Sequence, residues 1–256
     1  MIPHTKAFRV LKGEAQQVFD FAIVVAYAVP SLKKALATLQ PGETLPFTPD
    51  YFDATRIPTA KVRHNAAHYK ELLSRQIFLS SFSFFEAYFH DVLKEIVQFH
   101  GGEALLEKVS IAPNLNPASS DAKRWKRKLQ EYRTSSNLDG YVTYGRKLAG
   151  SGFRFPSELL ARFGLRKLLD LVKGDYIRAI EIPILVEEIL QLRLDPQSEV
   201  AAFQNYRKIR NRIAHGRASG ASLHLKKAVE ANNFLRNLAL KIDKHVVEHY
   251  LIVESV

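Results

Sequence analysis

Apolar residues return at three- and four-residue steps along most of this chain, the rhythm of helices with one buried face. The clearest stretch is 61–100, which holds no Gly or Pro. Its stripe comprises Leu72, Leu73, Ile77, Phe78, Phe82, Phe85, Phe89, Val92, Leu93, Ile96 and Val97, and Gly101-Gly102 ends it. An earlier helix is expected over 16–39, broken or kinked at Pro30. Between them, 40–58 holds four prolines and reads as a linker. Near the end, Ser222 is placed to cap a helix reaching about Tyr250. Its stripe is Leu225, Val229, Phe234, Leu238, Ile242 and Val246.

The middle third is less regular. Ser119-Ser120-Asp121 suits the cap of a helix through Trp125 to Tyr132, and Gly140, Gly145, Gly150 and Gly152 punctuate the chain beyond it. Pro156-Ser157-Glu158 opens another helix, 165–172 a short apolar one, and 175–194 one kinked or split by Pro183. Asp195-Pro196 then starts a helix that Gly216 and Gly220 close. No period-2 strand and no internal repeat stands out. The expected fold class is all-α: one helical bundle over 1–256, with a core at about 61–100 and 196–250 and a mostly helical insertion at about 101–195.

Composition narrows the class. With 46% hydrophobic residues the chain is globular. It has no Cys, so it carries no disulfide framework, thiolate metal site or thiol nucleophile, which fits a reducing cytoplasm. Met1-Ile2-Pro3-His4-Thr5 lacks the basic-then-apolar order of a signal peptide. The longest mostly apolar run, 19–29, is 11 residues and includes Asp20, short for a bilayer span. A cytoplasmic protein without a membrane partner is expected.

Charge points to a polyanion. The net charge is +11, and two windows hold more than that excess: +5 over 121–150 and +7 over 201–227. Such clustering suits a nucleic-acid footprint. In the first window Lys123, Arg124, Trp125, Lys126, Arg127 and Lys128 set one aromatic inside a basic run, suited to backbone contact plus base stacking. An amphipathic helix that packs Trp125 inward has the same pattern. In the second window Arg207, Lys208, Arg212 and Arg217 flank the chain's most informative run, Arg210-Asn211-Arg212-Ile213-Ala214-His215-Gly216.

That run puts a fixed cation, an amide and a titratable imidazole close together. A His gives or takes a proton near neutral pH, and an Arg stabilises charge growing on a phosphate. Spacing alone decides little, since Arg63 to His68 and Arg217 to His224 have similar separations. On an ideal helix Arg210 and His215 lie about 140° apart, whereas Asn211 and His215 share a face. Convergence therefore asks for a helix end or a second copy of the chain. In the plain structural alternative, His215 meets helix-terminal carbonyls and Arg210 pairs with Glu86. His64 and His68, four apart, are a weak candidate metal pair. His245 and His249 on the last helix are expected at the surface or an interface.

The 210–216 run resembles the Arg-Asn-x-x-x-His signature of HEPN domains, and most closely the Arg-Asn-x-x-Ala-His-Gly branch of RiboL-PSP-HEPN-like ribonucleases. The stretch 75–89, an apolar run leading into Glu86-Ala87-Tyr88-Phe89, is similar to that branch's earlier helix. Arg217 stands where one subgroup has Tyr, so the nucleotidyl-transfer-linked toxin branch is disfavoured. The resemblance implies a metal-independent endoribonuclease without a cofactor, acting on RNA in prokaryotic antiviral defence or as a toxin. It implies a homodimer with a composite active site: Arg210 and His215 as the catalytic pair, Asn211 as the accompanying polar residue, Glu86 as an orienting acid. A regulatory protein partner is compatible with such systems. The alternative is a non-catalytic RNA-binding or dimeric scaffold module.

Overall fold

The computed structural model describes residues 4–40, 43, 58–99, 102–103, 121, 124–125, 127–128, 131, 143–144, 147, 165–174, 177–216 and 223–251. Among them there is no strand. Seven α-helices are described: α1 (Lys6–Thr38), α2 (Thr59–Ala67), α3 (Tyr69–Phe99), α4 (Leu165–Lys173), α5 (Ile182–Glu188), α6 (Ala201–Ala214) and α7 (Leu225–His249). The chain is all-α, as the periodicity predicts. The linker, most of the insertion, Gly101, Ser222 and Gly220 lie outside the described residues.

Two compact units emerge. The first comprises Met1–Leu11, Phe85–Arg207 and Arg236–Val256, the second Lys12–Phe84 and Lys208–Leu235. In the first unit, Phe85, Phe89, Val92, Leu93 and Ile96 of α3 are fully buried, as are Leu168, Ile182, Val186, Phe203, Ile242 and Val246. Phe85 packs its ring 5.8 Å from Phe203 at the start of α6. Full burial of one such side chain stabilises by about 1.5–3 kcal/mol.

The N-terminal helix starts ten residues before the sequence pattern suggests, and the reason is tertiary. A helix start leaves four N–H groups without partners. Here Glu95 of α3 accepts from Lys6 N (2.9 Å) and Ala7 N (3.0 Å), and Thr5 Oγ1 accepts from Phe8 N (3.0 Å). The fully buried Asp243 of α7 accepts from Thr5 N (2.9 Å) and Thr5 Oγ1 (2.6 Å), and pairs with His4 Nδ1 (2.6 Å). Two carboxylates at a helix N-terminus also meet its positive dipole end. Neighbouring Tyr88 donates its hydroxyl to Ala239 O (2.9 Å). Burial, then the charges of Asp243 and Glu95, push its phenol well above the usual tyrosine range.

Three other expectations are corrected. The 61–100 helix is two helices, α2 and α3, parted at His68, whose φ of −97° and ψ of 10° leave the helical region although no Gly or Pro marks the place. The 175–194 helix is shorter: Pro183 opens α5, which ends at Glu188, and Gln191 takes a left-handed φ of 54°. Leu72 and Leu225 are 46% and 42% exposed, so neither belongs to the buried stripe. Ala228, Ala231 and Leu235 form the inner face of the α7 start instead, with buried Leu223 just before it.

The non-helical 189–194 stretch explains the two late histidines. His245 Nε2 bonds Leu190 O (2.6 Å), and Tyr250 donates to Ile189 O (3.2 Å). His245 is part-buried, not a surface group, with its ring 4.5 Å from that of His249.

In the second unit, Ile77, Phe78 and Phe82 of α3 are fully buried, the two rings stacked at 6.1 Å. Ser81 Oγ donates to Ile77 O (2.7 Å) and to Asn232 Oδ1 of α7 (3.1 Å). Arg63 of α2 donates to Leu36 O (2.9 Å) near the end of α1, and Lys33 sits 5.0 Å over the Tyr69 ring. Helix α1 passes through Pro30 without ending. It is the one described helix long and apolar enough to cross a membrane by length and composition, with an 18-residue window of mean hydropathy 1.4. The 11-residue run read from the sequence underestimates it.

His245 makes stability acid-sensitive. Burial first, then the charge of His249, lowers its pKa from 6.5 to about 4, against the opposing Leu190 hydrogen bond and Glu248. The unfolded imidazole binds a proton below about pH 6.5 while the folded one resists until about pH 4, so stability falls as pH drops through that window. The shift corresponds to about 3 kcal/mol. His245→Gln keeps a donor for Leu190 O and cannot titrate. Urea midpoints measured from pH 7.5 to 4 should fall less steeply in the variant than in wild type; equal slopes would contradict the assignment.

Candidate ribonuclease motif

The motif sits at the end of α6, and both ends of that helix follow from local chemistry. Asp195 caps its start: the carboxylate accepts from Gln197 N (2.8 Å) and Ser198 N (3.0 Å), which hold its pKa below the usual range. Pro196 opens a π-helical turn, Pro196–Val200, that leads into α6. In the same unit Lys241 of α7 pairs with Glu199 (2.6 Å). At the far end His215 N bonds Asn211 O (3.0 Å) and Gly216 N bonds Ile213 O (3.1 Å). Gly216 has φ +66°, a left-handed position that a Cβ would strain. The helix therefore stops at Ala214 and leaves His215 exposed on the closing turn.

This end also joins the long Arg210 side chain to its neighbour Asn211. Arg210 is half-buried and its Nη1 donates to Asn211 Oδ1 (3.1 Å). The guanidinium thus leans around the helix toward Asn211, the residue that shares a face with His215. Ile209 is buried and fixes the helix to its unit, while Lys208 and Arg212 are exposed. Cations in the last turn of a helix also meet its negative dipole end. A guanidinium and an imidazole on one solvent-facing helix end can bind a phosphodiester and exchange a proton beside it.

Glu86 is half-buried on α3 and belongs to the first unit, whereas Arg210, Asn211 and His215 belong to the second. Arg207, also in the first unit, donates its Nε to Gln204 Oε1 (2.7 Å). In the basic run Arg124 and Arg127 are exposed and helical, Trp125 is half-buried, and Lys128 pairs with Glu131 (2.8 Å). Lys123, Lys126 and Arg217 lie outside the described residues. His64 and His68 bring their rings to 4.7 Å, but no group of three metal-ligating side chains occurs among the described residues.

Sequence reasoning did not anticipate the Arg210–Asn211 bond, because adjacent helical residues do not face each other and only a long, bent side chain joins them. No curated protein and no solved structure matches this chain. One family model does, across residues 57–248, which takes in both motif-bearing segments and the stretch between them. With three quarters of its length matched around the Arg-Asn-x-x-Ala-His-Gly run, the chain belongs to the RiboL-PSP-HEPN family.

Proposed function

We propose that this protein is a metal-independent endoribonuclease that acts as a homodimer. The observation that carries the reading is the helix end at 210–216, where Arg210 donates to Asn211 and His215 stands exposed on the closing turn. Family membership and the net charge of +11 support RNA as the substrate. His215 takes the proton from a ribose 2′-hydroxyl, and the 2′-oxygen attacks the adjacent phosphorus. The bond to the 5′-oxygen breaks, and a second His215, from the partner, returns a proton to that leaving group. Arg210 stabilises the charge that builds on the phosphoryl oxygens. Asn211 positions Arg210, and Glu86 orients the motif as a supporting acid. The products are a 2′,3′-cyclic phosphate and a 5′-hydroxyl, and DNA, lacking the 2′-hydroxyl, is not cut.

Substrate is held by residues other than the catalytic pair: Lys208, Arg212 and Arg207 near it, and Arg124, Arg127 and the aromatic Trp125 in the middle segment. The work of such an enzyme is antiviral defence or toxin-type growth control in the prokaryotic cytoplasm, under a regulatory protein partner.

Cleavage of end-labelled RNA in EDTA tests the chemistry. Wild-type protein should leave cyclic phosphate ends, and His215→Ala should lose about 10²–10⁴ in rate while binding RNA as before. Equal products from the two proteins, or no wild-type cleavage in EDTA, would exclude this mechanism; binding without any cleavage would identify an RNA-holding module.

The middle segment makes a separate, electrostatic prediction. Arg124→Ala with Arg127→Ala should weaken RNA binding across sequences, and the salt dependence of log K should lose about 0.7 per phosphate contact removed. An unchanged salt slope in titrations from low to high salt would show that these two arginines face away from the RNA.

A further inference from the structure

Helix α1 keeps its most apolar part in the open. Only 6% of its apolar 18-residue window is buried. Tyr27 is 80% exposed, Val24 62%, Phe21 57% and Ile23 55%. At 100° per residue these four cover about 160° of the helix circumference. A helix that packs on one neighbour shows a stripe of roughly 100°. Residues 21–32 hold no charge in a chain of net +11. Beside them, Val25, Val29 and Leu32 line an open 620 Å³ cleft with Val62 and with Leu72, itself exposed. Apolar surface thus continues from the outer side of α1 into the cleft. A helix apolar and open on so many sides suits a medium that surrounds it better than a partner that covers one side.

The charges at the two ends indicate which medium. Lys12 and Lys34 are exposed and lie within about 60° of Tyr27 around the axis, so they flank the apolar stretch on its outward face. Lys33 is exposed beside Lys34, and Arg63 of α2 donates to Leu36 O (2.9 Å), which gathers three cations at the C-terminal end. Asp20, which accepts from Gln16 (2.8 Å), is the one acid on that face between Lys12 and Lys34. We propose that α1 docks on an anionic lipid bilayer, with 21–30 sunk into the boundary between headgroups and acyl chains and the lysines on the lipid phosphates. Apolar area and attraction to anionic lipid add in such binding, and the cytoplasmic leaflet carries the negative charge it needs. Tyr27 suits the boundary, where amphipathic rings collect. The helix lies in the surface and does not cross: the charge-free 21–32 is about 18 Å long, against roughly 30 Å of hydrocarbon. RNA finds no cation on this stretch. The proposal reverses the sequence expectation of no membrane partner, because an 11-residue run too short to span is long enough to lie in an interface. It does not rest on the ribonuclease chemistry, and its test reads lipid binding, not cleavage.

Flotation of the full chain with vesicles is that test. Wild type should float with phosphatidylcholine–phosphatidylglycerol vesicles and far less with phosphatidylcholine alone. Net charge draws any chain of +11 to an anionic vesicle, so neutral substitutions separate the two causes. Val24→Asn with Tyr27→Asn, its helical circular dichroism intact, should lower the partition coefficient at least tenfold. Lys34→Ala should lower it about fivefold on anionic vesicles and leave it unchanged on neutral ones. Asp20→Asn should raise it. The chain has no Cys, so Val24→Cys carries a single environment-sensitive dye, whose emission should shift to the blue on vesicles and be quenched by spin labels on the acyl chains. A wild type left behind by anionic vesicles, flotation indifferent to the neutral pair, or a dye that stays in water overturns the proposal. So does a neutral pair that changes the mass of the lipid-free protein in light scattering, which would assign the face to a protein contact.

Discussion

The aromatic ridge of α3 is the constraint on which the rest of the molecule depends. Phe78, Phe82, Phe85 and Phe89 follow one another at four-, three- and four-residue steps, and all are fully buried. The first two belong to the second compact unit and the last two to the first, so one helix supplies the central side chains of both cores. Interiors are packed at crystal-like density, and removing a buried Phe costs about 3–5 kcal/mol. A helix under that demand on one face has little freedom on the other. Glu86, half-buried one residue after Phe85, is held at a fixed phase by the ridge.

A second constraint acts on polar groups. Burying a carboxylate is costly unless hydrogen bonds replace its water. Asp243 meets the condition with Thr5 and His4, and Glu95 with two backbone amides, so both anions end at the first turn of α1. The same logic governs α6, where Asp195 satisfies the opening amides and left-handed Gly216 closes the last turn. Both helices therefore have ends set by hydrogen bonding. The position of His215, just beyond Ala214, is a consequence of where the helix can stop.

Features that rest on local physics were legible in the sequence. The all-α class, the α3 stripe and the Asp195-Pro196 start of α6 follow from periodicity and capping, and so does its stop at Gly216. The features that were not legible depend on distant partners. Thr5 is the one local signal for the start of α1 at Lys6, and Glu95 and Asp243 supply the other contacts from far along the chain. Nothing near His68 announces the break between α2 and α3. His245 looks like a surface residue until the irregular stretch after α5 brings Leu190 O to its ring. Of the candidate site, the residue identities could be read but the lean of Arg210 toward Asn211 could not, since it is a choice of rotamer. In the middle segment Trp125 and its neighbours could be read as a basic run, and only the exposure of Arg124 and Arg127 and the pairing of Lys128 with Glu131 sort them.

The distribution of charge separates two tasks that would otherwise compete. A chain of net +11 repels its own copies and attracts polyanions. If the cations were spread evenly, every surface would do both. They are not: 201–227 holds seven basic residues and no acid, while 21–32 holds no charge. Self-repulsion falls off within about 10 Å at ordinary ionic strength, so it acts mainly where the cations crowd together. The basic surface around His215 then stays available to phosphate. Raising the salt would act on the basic surface first, weakening any contact to a polyanion. That separation leaves the cations of α6 on the helix end that also carries His215, and α1 without charge over 21–32.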